Sequence, residues 1–163
     1  MKLSHPIRFD LLEFLKFGKL DFIKVGQTKE WILANFADPD GLNNKMLSHK
    51  WPVWTYDLLE FHFDQNNELF LIYTDYLEDL KSNNRFEISP WIFEDASKLT
   101  LLFVLAALNS QQIDYQKVTR KKGVLLHLTS GVTLSFTATD EALAKSANDW
   151  MMTSLSLTRA DEA

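Results

Sequence analysis

The fold of this chain is decided by one stretch of its sequence, Trp51–Leu80, which reads WPVWTYDLLEFHFDQNNELFLIYTDYLEDL. In this stretch Leu59, Phe61 and Phe63 alternate with residues of the opposite face, a period of two that is typical of a β-strand with one buried side. The polar run that follows predicts a turn, and the apolar run Leu69–Tyr73 predicts a second strand inside a sheet. We therefore predict a β-hairpin, around which the rest of the chain packs.

The same stretch is strongly acidic, because it contains seven Asp or Glu side chains and no Lys or Arg. Aromatic residues are interleaved with these carboxylates, a composition typical of a protein interface with aromatic anchors. A solvated acidic edge of the sheet is the alternative interpretation. We predict a partner-binding site formed by these residues: Trp54, Tyr56, Asp57, Glu60, Asp75, Tyr76, Glu78 and Asp79.

Charge and composition narrow the class of partner. The 163 residues carry a formal net charge of -5, and an acidic surface does not neutralise phosphates, so we predict a basic protein partner and no direct contact with nucleic acid. The absence of cysteine excludes disulfides and thiolate metal sites and favours the cytoplasm. The N-terminus has no pattern of a secretory signal, and the longest apolar run, Leu99–Leu108, is too short to cross a bilayer. We therefore predict a cytoplasmic protein without membrane contact.

Hydrophobic periodicity predicts a single α+β domain over residues 1–158, with a frayed tail at 159–163. Helical spacing and capping residues predict four helices at Asp10–Gly18, Lys29–Phe36, Lys98–Gln112 and Asp140–Ser154. Alternation predicts four more strands at Leu20–Val25, Tyr115–Thr119, Gly123–Leu128 and Val132–Phe136. We expect these strands to form an antiparallel sheet with helices packed on one face.

Two segments of the chain resemble each other. Leu59–Phe63, LEFHF, aligns with Val124–Leu128, VLLHL, and each is followed by a polar turn and another apolar strand. A helix and hairpin unit that occurs twice, with half-repeats at 1–80 and 86–158, would explain the similarity. Because only five positions match, chance is an equally good explanation.

The sequence has no pattern that indicates catalysis. Its five glycines are dispersed, so no phosphate-binding loop is present, and its four histidines lack the spacing of metal ligands. We therefore predict a protein that is not an enzyme and has no metal and no cofactor. Two alternatives remain open: a small-molecule enzyme or carrier that uses His62 or His127 with a carboxylate in a pocket between sheet and helices, and an assembly subunit with aromatic residues at its surface.

Short motifs in the first half resemble known families. They are Val25-Gly-Gln-Thr-Lys-Glu30, Pro39-Asp40 and Trp54-Thr-Tyr56. The set resembles the outer-membrane assembly lipoproteins of the SmpA/OmlA type and the β-lactamase-inhibitor-protein fold, in which two helices pack on a sheet. Together with the LEFHF hairpin, it also resembles immunity proteins of contact-dependent growth inhibition and polymorphic toxin systems. This resemblance implies a non-enzymatic inhibitor that binds its cognate toxin domain, often a basic nuclease, and masks its active site.

Overall fold

The computed structural model describes residues 2–43, 52–138 and 146–160. Within these ranges the strands are β1 Ile7–Asp10, β2 Gly41–Asn43, β3 Val53–Tyr56, β4 Leu59–Phe63, β5 Leu69–Thr74, β6 Phe86–Ser89, β7 Tyr115–Arg120, β8 Gly123–Leu128, β9 Val132–Thr137 and β10 Met151–Thr158. The α-helices are α1 Leu11–Phe17, α2 Lys29–Asn35 and α3 Leu101–Ser110. Short 3₁₀ helices lie at Leu77–Asp79, Trp91–Glu94, Ala96–Lys98 and Ala147–Asp149. No helix in this part of the chain is both long and apolar enough to cross a membrane.

The main sheet of the described chain has eight strands in the order β2-β3-β4-β5-β10-β9-β8-β7. Every neighbouring pair is antiparallel. Two meanders, β2 to β5 and β7 to β10, therefore lie side by side and join through β5 and β10. Strands β1 and β6 form a separate parallel pair. The predicted α+β class with an antiparallel sheet is confirmed.

The predicted hairpin is confirmed as β4 and β5. Leu59, Phe61 and Phe63 are buried, as the alternation requires. In the turn, the Asp64 carboxylate accepts hydrogen bonds from the backbone N–H groups of Asn66 and Glu68, at 2.8 and 3.1 Å. These bonds stabilise the turn locally, which is why Asp and Asn are common in turns.

The three α-helices begin where the sequence provides a capping side chain. Asp10, Thr28 and Thr100 accept backbone N–H bonds from the first turns of α1, α2 and α3, at 2.9, 3.2 and 3.3 Å. α1 ends at Gly18, whose φ of 61° lies in the left-handed region that favours glycine. A Cβ atom at Gly18 would lie 2.6 Å from the carbonyl oxygen of Ser130, so the close approach of these two segments requires glycine.

One hydrophobic core joins the helices to the sheet. The buried faces of β4, β8, β9 and β10 belong to the same cluster as apolar residues of all three α-helices. Leu11 of α1, Ile32 of α2 and Val104 of α3 are each completely buried in it. Burial of these faces supplies the main favourable term in the free energy of folding.

The prediction of a helix over Asp140–Ser154 is wrong where the structure describes it. Residues 139–145 lie outside the described ranges, but Met151–Thr158 forms β10 in the middle of the sheet. Leu155 and Leu157 alternate with Ser156, and a β-bulge between Met152 and Ser154 interrupts the period of two at the start of the strand. The apolar spacing that predicted the helix, from Ala142 to Trp150, lies before β10, and pairing with β5 and β9 makes Met151–Thr158 a strand.

The end of the chain also differs from the predicted tail. The backbone N–H of Arg159 donates to the carbonyl of Phe70 at 2.9 Å, and its guanidinium binds Asp64 and Glu68. Residues 161–163 lie outside the described ranges. Arg159 therefore continues from β10 beside β5 and is held near the turn of the β4–β5 hairpin.

Two local predictions also need correction. The predicted strand Leu20–Val25 is instead a turn, in which the backbone of Leu20 bonds to that of Ile23 and not to a sheet. The two segments that aligned as a repeat occupy different places, since β4 is the third strand of its meander and β8 the second strand of the other. A duplicated unit remains a prediction, but this alignment does not match equivalent strands.

Candidate partner-binding groove

Four of the eight predicted binding residues line one open groove. They are Asp75, Tyr76, Glu78 and Asp79, and the groove has a volume of about 490 Å³. All four are exposed, and the ring-bearing side chain of Tyr76 keeps 54% of its surface accessible. The groove therefore joins one exposed aromatic side chain to three carboxylates.

The first wall follows directly from the end of β5. The hydroxyl of Thr74 accepts a hydrogen bond from the N–H of Tyr76 at 3.2 Å, which turns the chain out of the sheet. Leu77 and Leu80 are buried in the core, at 5% and 2% exposure, and anchor the 3₁₀ helix between them. Because Leu77 and Leu80 pack into the core, the Glu78 and Asp79 side chains are left exposed to solvent.

The opposite wall is the 3₁₀ helix Ala96–Lys98, and the remaining lining comes from the first residues of β10. Asp95 accepts hydrogen bonds from the N–H and the hydroxyl of Ser97, and these bonds hold the pKa of the Asp95 carboxyl below its usual range. Met151, Met152 and Thr153 contribute the β10 side of the groove. The groove thus has one acidic wall, an opposite wall of Ala96 and Ser97, and a partly exposed thioether side chain, Met151, on its β10 side.

The groove carries uncompensated negative charge. Among its lining residues in the described chain, three are acidic and none is Lys, Arg or His. A second groove of about 230 Å³ shares Glu78, Ala96 and Ser97 with it and adds Lys81, Glu94 and Asp95. That second groove has one cation, Lys81, beside three carboxylates, so the negative potential is expected to be strongest at Asp75, Glu78 and Asp79 in the first groove.

Trp54 and Tyr56 do not belong to the groove, and this part of the predicted site needs correction. Trp54 is 4% exposed and packs on the Phe63 ring at 4.6 Å, and Tyr56 is completely buried. The Tyr56 hydroxyl donates to the carbonyl of Ala37 at 3.2 Å, and burial raises its pKa. Trp54 pairs with Phe61 in β4, so the period of two places it on the core side of β3.

Asp57 and Glu60 lie elsewhere and already have partners. Asp57 is exposed in the turn between β3 and β4 at a φ of 49°, and its carboxylate accepts a bond from the amide of Asn83 at 2.8 Å. Glu60 contacts the His62 ring nitrogen at 2.8 Å on the face of the sheet opposite the core. Neither residue lines the groove.

Tyr73 connects Glu60 with the groove. It pairs with Glu60 across β4 and β5, and its hydroxyl is in hydrogen-bonding contact with Ser154 and Asp75. Burial, and then the charge of Asp75, raises the pKa of Tyr73. Glu60 and Asp75 therefore belong to one continuous surface, although only Asp75 lines the groove.

The two strand histidines are far apart. His62 is on β4 and His127 is on β8, four strand spacings away, or about 19 Å. The His127 ring contacts the Thr133 hydroxyl at 2.9 Å, and neither histidine lines the acidic groove. Within the described ranges, no group of three or more His, Cys, Asp or Glu side chains could hold a metal ion. Of these two histidines, His62 has a carboxylate partner among the described residues, Glu60, as the enzyme alternative requires.

Sequence reasoning missed the far wall of the groove and its β10 side. The Asp95-Ala-Ser97 pattern, an acidic residue two positions before a hydroxyl, was a signal for the far wall. Met151–Thr153 gave no usable signal, because that segment was predicted to be helical. No protein family matches this chain, and no curated protein or solved structure is significantly similar to it.

Proposed function

We propose that this chain is a cytoplasmic immunity protein that binds a cognate, basic toxin domain and masks its active site. The observation that carries the proposal is the acidic groove, in which Asp75, Tyr76, Glu78 and Asp79 lie together although they were selected from sequence alone. The resemblance of the N-terminal motifs to immunity proteins supports the same function.

The groove suggests how recognition would work. Its carboxylates attract a basic surface over several ångströms and speed association, while contributing little to the final affinity because they are solvent-exposed. Tyr76 and the partly exposed Met151 supply apolar contact area for the long side chains of Lys or Arg on the toxin. Charge therefore determines mainly the rate of association, and the apolar contacts determine mainly the rate of dissociation.

We also infer that the chain contains two copies of one structural unit. Each copy consists of one strand, a helical segment and a four-stranded meander. Two features support it: β1 and β6 begin the two halves and pair with each other, and each meander follows its own helices. In this architecture the three α-helices all cover the buried face of the sheet. The equivalent strands are then β3 with β8, β4 with β9 and β5 with β10.

The first experiment is co-purification of the tagged chain with the product of the gene immediately upstream, combined with rescue of cells that express that product. A complex that forms and protects the cells supports the proposal. No complex and no rescue would contradict it and would favour the enzyme or assembly alternatives.

The groove is then tested with the double variant Glu78→Lys and Asp79→Lys. We expect association with the toxin domain to slow about tenfold or more at low salt, and the salt dependence of association to weaken. The control is the double variant Glu87→Lys and Asp114→Lys, which changes net charge equally at exposed residues that do not line the groove. Equal slowing in both variants would attribute the effect to net charge and exclude the groove.

A further inference from the structure

The sheet has a second face, which the core does not cover. Along one row of this face Glu60 pairs with Tyr73, Tyr73 with Ser156, Ser156 with Thr133, and Thr133 with His127. All five side chains are partly exposed, whereas their neighbours along each strand, such as Phe61 and Leu155, are buried. We call this surface, formed by β4, β5, β10, β9 and β8, the outer sheet face.

The composition of the outer sheet face is unusual for an acidic protein. Short hydroxyl side chains fill its centre: Ser154 and Ser156 on β10, and Thr133 and Ser135 on β9. Leu71, Tyr73 and Leu125 add apolar area. The five central strands place only one carboxylate there, Glu60, and it is paired with His62. Depletion of charged side chains at a patch with apolar area is the compositional signal of the core of a protein interface.

The outer sheet face continues into the acidic groove. The Tyr73 hydroxyl on this face contacts Asp75 in the groove, and β10 contributes Ser154 and Ser156 to the face and Met151–Thr153 to the groove. A partner that occupies the groove therefore also meets β5 and β10. The acidic groups lie along this border, whereas the centre of the face is nearly uncharged.

The outer sheet face is smaller than a standard interface. Its five strands, about 4.8 Å apart, span about 19 Å, and a five-residue strand is about 17 Å long, so the projected area is roughly 320 Å². Each partner contributes roughly 800 Å² to a standard interface, so a partner would contact this face together with the adjoining groove.

We propose that the toxin domain binds to the outer sheet face, with its basic flank in the acidic groove. The proposal rests on the function proposed above and assigns the central contact to a surface that sequence reasoning did not select. Charge complementarity favours a basic protein over a second copy of this chain, because each copy carries a formal net charge of -5 and copies repel each other.

The test uses Ser156→Arg, which places a long cation at the centre of the face. We expect the affinity for the upstream gene product to fall at least about thirtyfold, chiefly through faster dissociation. The matched control is Thr119→Arg, an exposed strand position on β7 whose side chain lies on the other side of the sheet, where affinity should stay within about twofold.

A second measurement avoids any question of misfolding. The chain has no cysteine, so Ser156→Cys and Thr119→Cys each introduce a unique thiol. Bound toxin domain should slow maleimide labelling of the cysteine at 156 at least about tenfold and leave the one at 119 unaffected. Equal labelling rates with and without the toxin domain would overturn the proposal.

The outcomes separate the two proposals. If the wild-type chain does not bind the upstream gene product, the proposed function and this inference both fail. If it binds and the cysteine at 156 is not protected, only this inference fails. If sedimentation shows a wild-type dimer that Ser156→Arg converts into monomers, the occupant is a second copy and the inference is overturned.

Discussion

The ion pairs of Arg159 with Asp64 and Glu68 can be tested directly by mutation. Its guanidinium donates to the carboxylates of Glu68 and Asp64, at 2.9 Å each. The side chains of Arg159 and Asp64 are only 20% and 12% exposed, so solvent screens this pair less than it screens an open surface pair. Replacing Arg159 with alanine removes both bonds and keeps the backbone bond to Phe70.

The magnitude follows from these two contacts. Partly exposed ion pairs contribute about 0.5 to 1 kcal/mol each, so we expect Arg159→Ala to lower the free energy of unfolding by about 1 to 2 kcal/mol. For a domain of this length, the loss corresponds to a decrease of roughly 2 to 8 °C in melting temperature. Arg159→Lys is the matched control, because an ammonium group lacks the planar fork that engages two carboxylates together, and its loss should be smaller.

The stabilisation by the Arg159–Asp64 pair depends on pH through the pKa of Asp64. Burial raises the pKa of the Asp64 carboxyl, but its backbone bonds from Glu68 and Asn66 and its contact with Arg159 outweigh burial, so the folded pKa lies below its usual value of 3.8. The stabilisation is therefore fully present above about pH 4 to 5 and is lost as the pH falls through the folded pKa.

The assay is urea unfolding of the wild type, Arg159→Ala and Arg159→Lys between pH 3 and pH 7. The difference between wild type and Arg159→Ala should be constant near neutral pH and should shrink in acid. A wild-type stability at pH 7 that equals that of Arg159→Ala would show that the chain end is not held as described. A difference that persists unchanged at pH 3 would contradict the assignment to ionised carboxylates.

The remaining predictions concern the core and one backbone contact. Phe61→Ala removes a completely buried ring that packs on Tyr56 at 4.5 Å. In urea titrations, we expect it to lower the free energy of unfolding by about 3 to 5 kcal/mol. The control Phe17→Ala changes an exposed position and should alter the free energy of unfolding by less than about 0.5 kcal/mol. Gly18→Ala should cost about 1 to 3 kcal/mol, since φ is positive and the new Cβ would collide with the Ser130 carbonyl; a thermal melt that does not change would contradict the described turn.

The sequence did not reveal which aromatic residues of the acidic stretch are buried and which are exposed. Tyr56 and Tyr76 are the same residue type in similar acidic surroundings, and both were predicted to anchor a partner. Tyr56 is buried because β3 pairs with β4 and the core covers that side, whereas Tyr76 is exposed because the chain leaves the sheet after Thr74. Composition alone does not contain this difference, because pairing and chain direction decide it.

The sequence by itself determined the local elements of this protein. The hairpin of β4 and β5 and the helices α1, α2 and α3 depend on alternation, turn residues and capping side chains, which act between residues a few positions apart. The same short-range signals indicated an acidic segment with Tyr76, Glu78 and Asp79 close together.

Only the tertiary structure decided what required distant segments to meet. Met151–Thr158 is a strand because β5 and β9 flank it, although the preceding apolar spacing had predicted a helix as far as Ser154. The same strand completes the acidic groove opposite Asp75 and forms the centre of the outer sheet face. Hydrogen bonds and burial between residues far apart in the chain depend on the whole fold, so no local pattern encodes them.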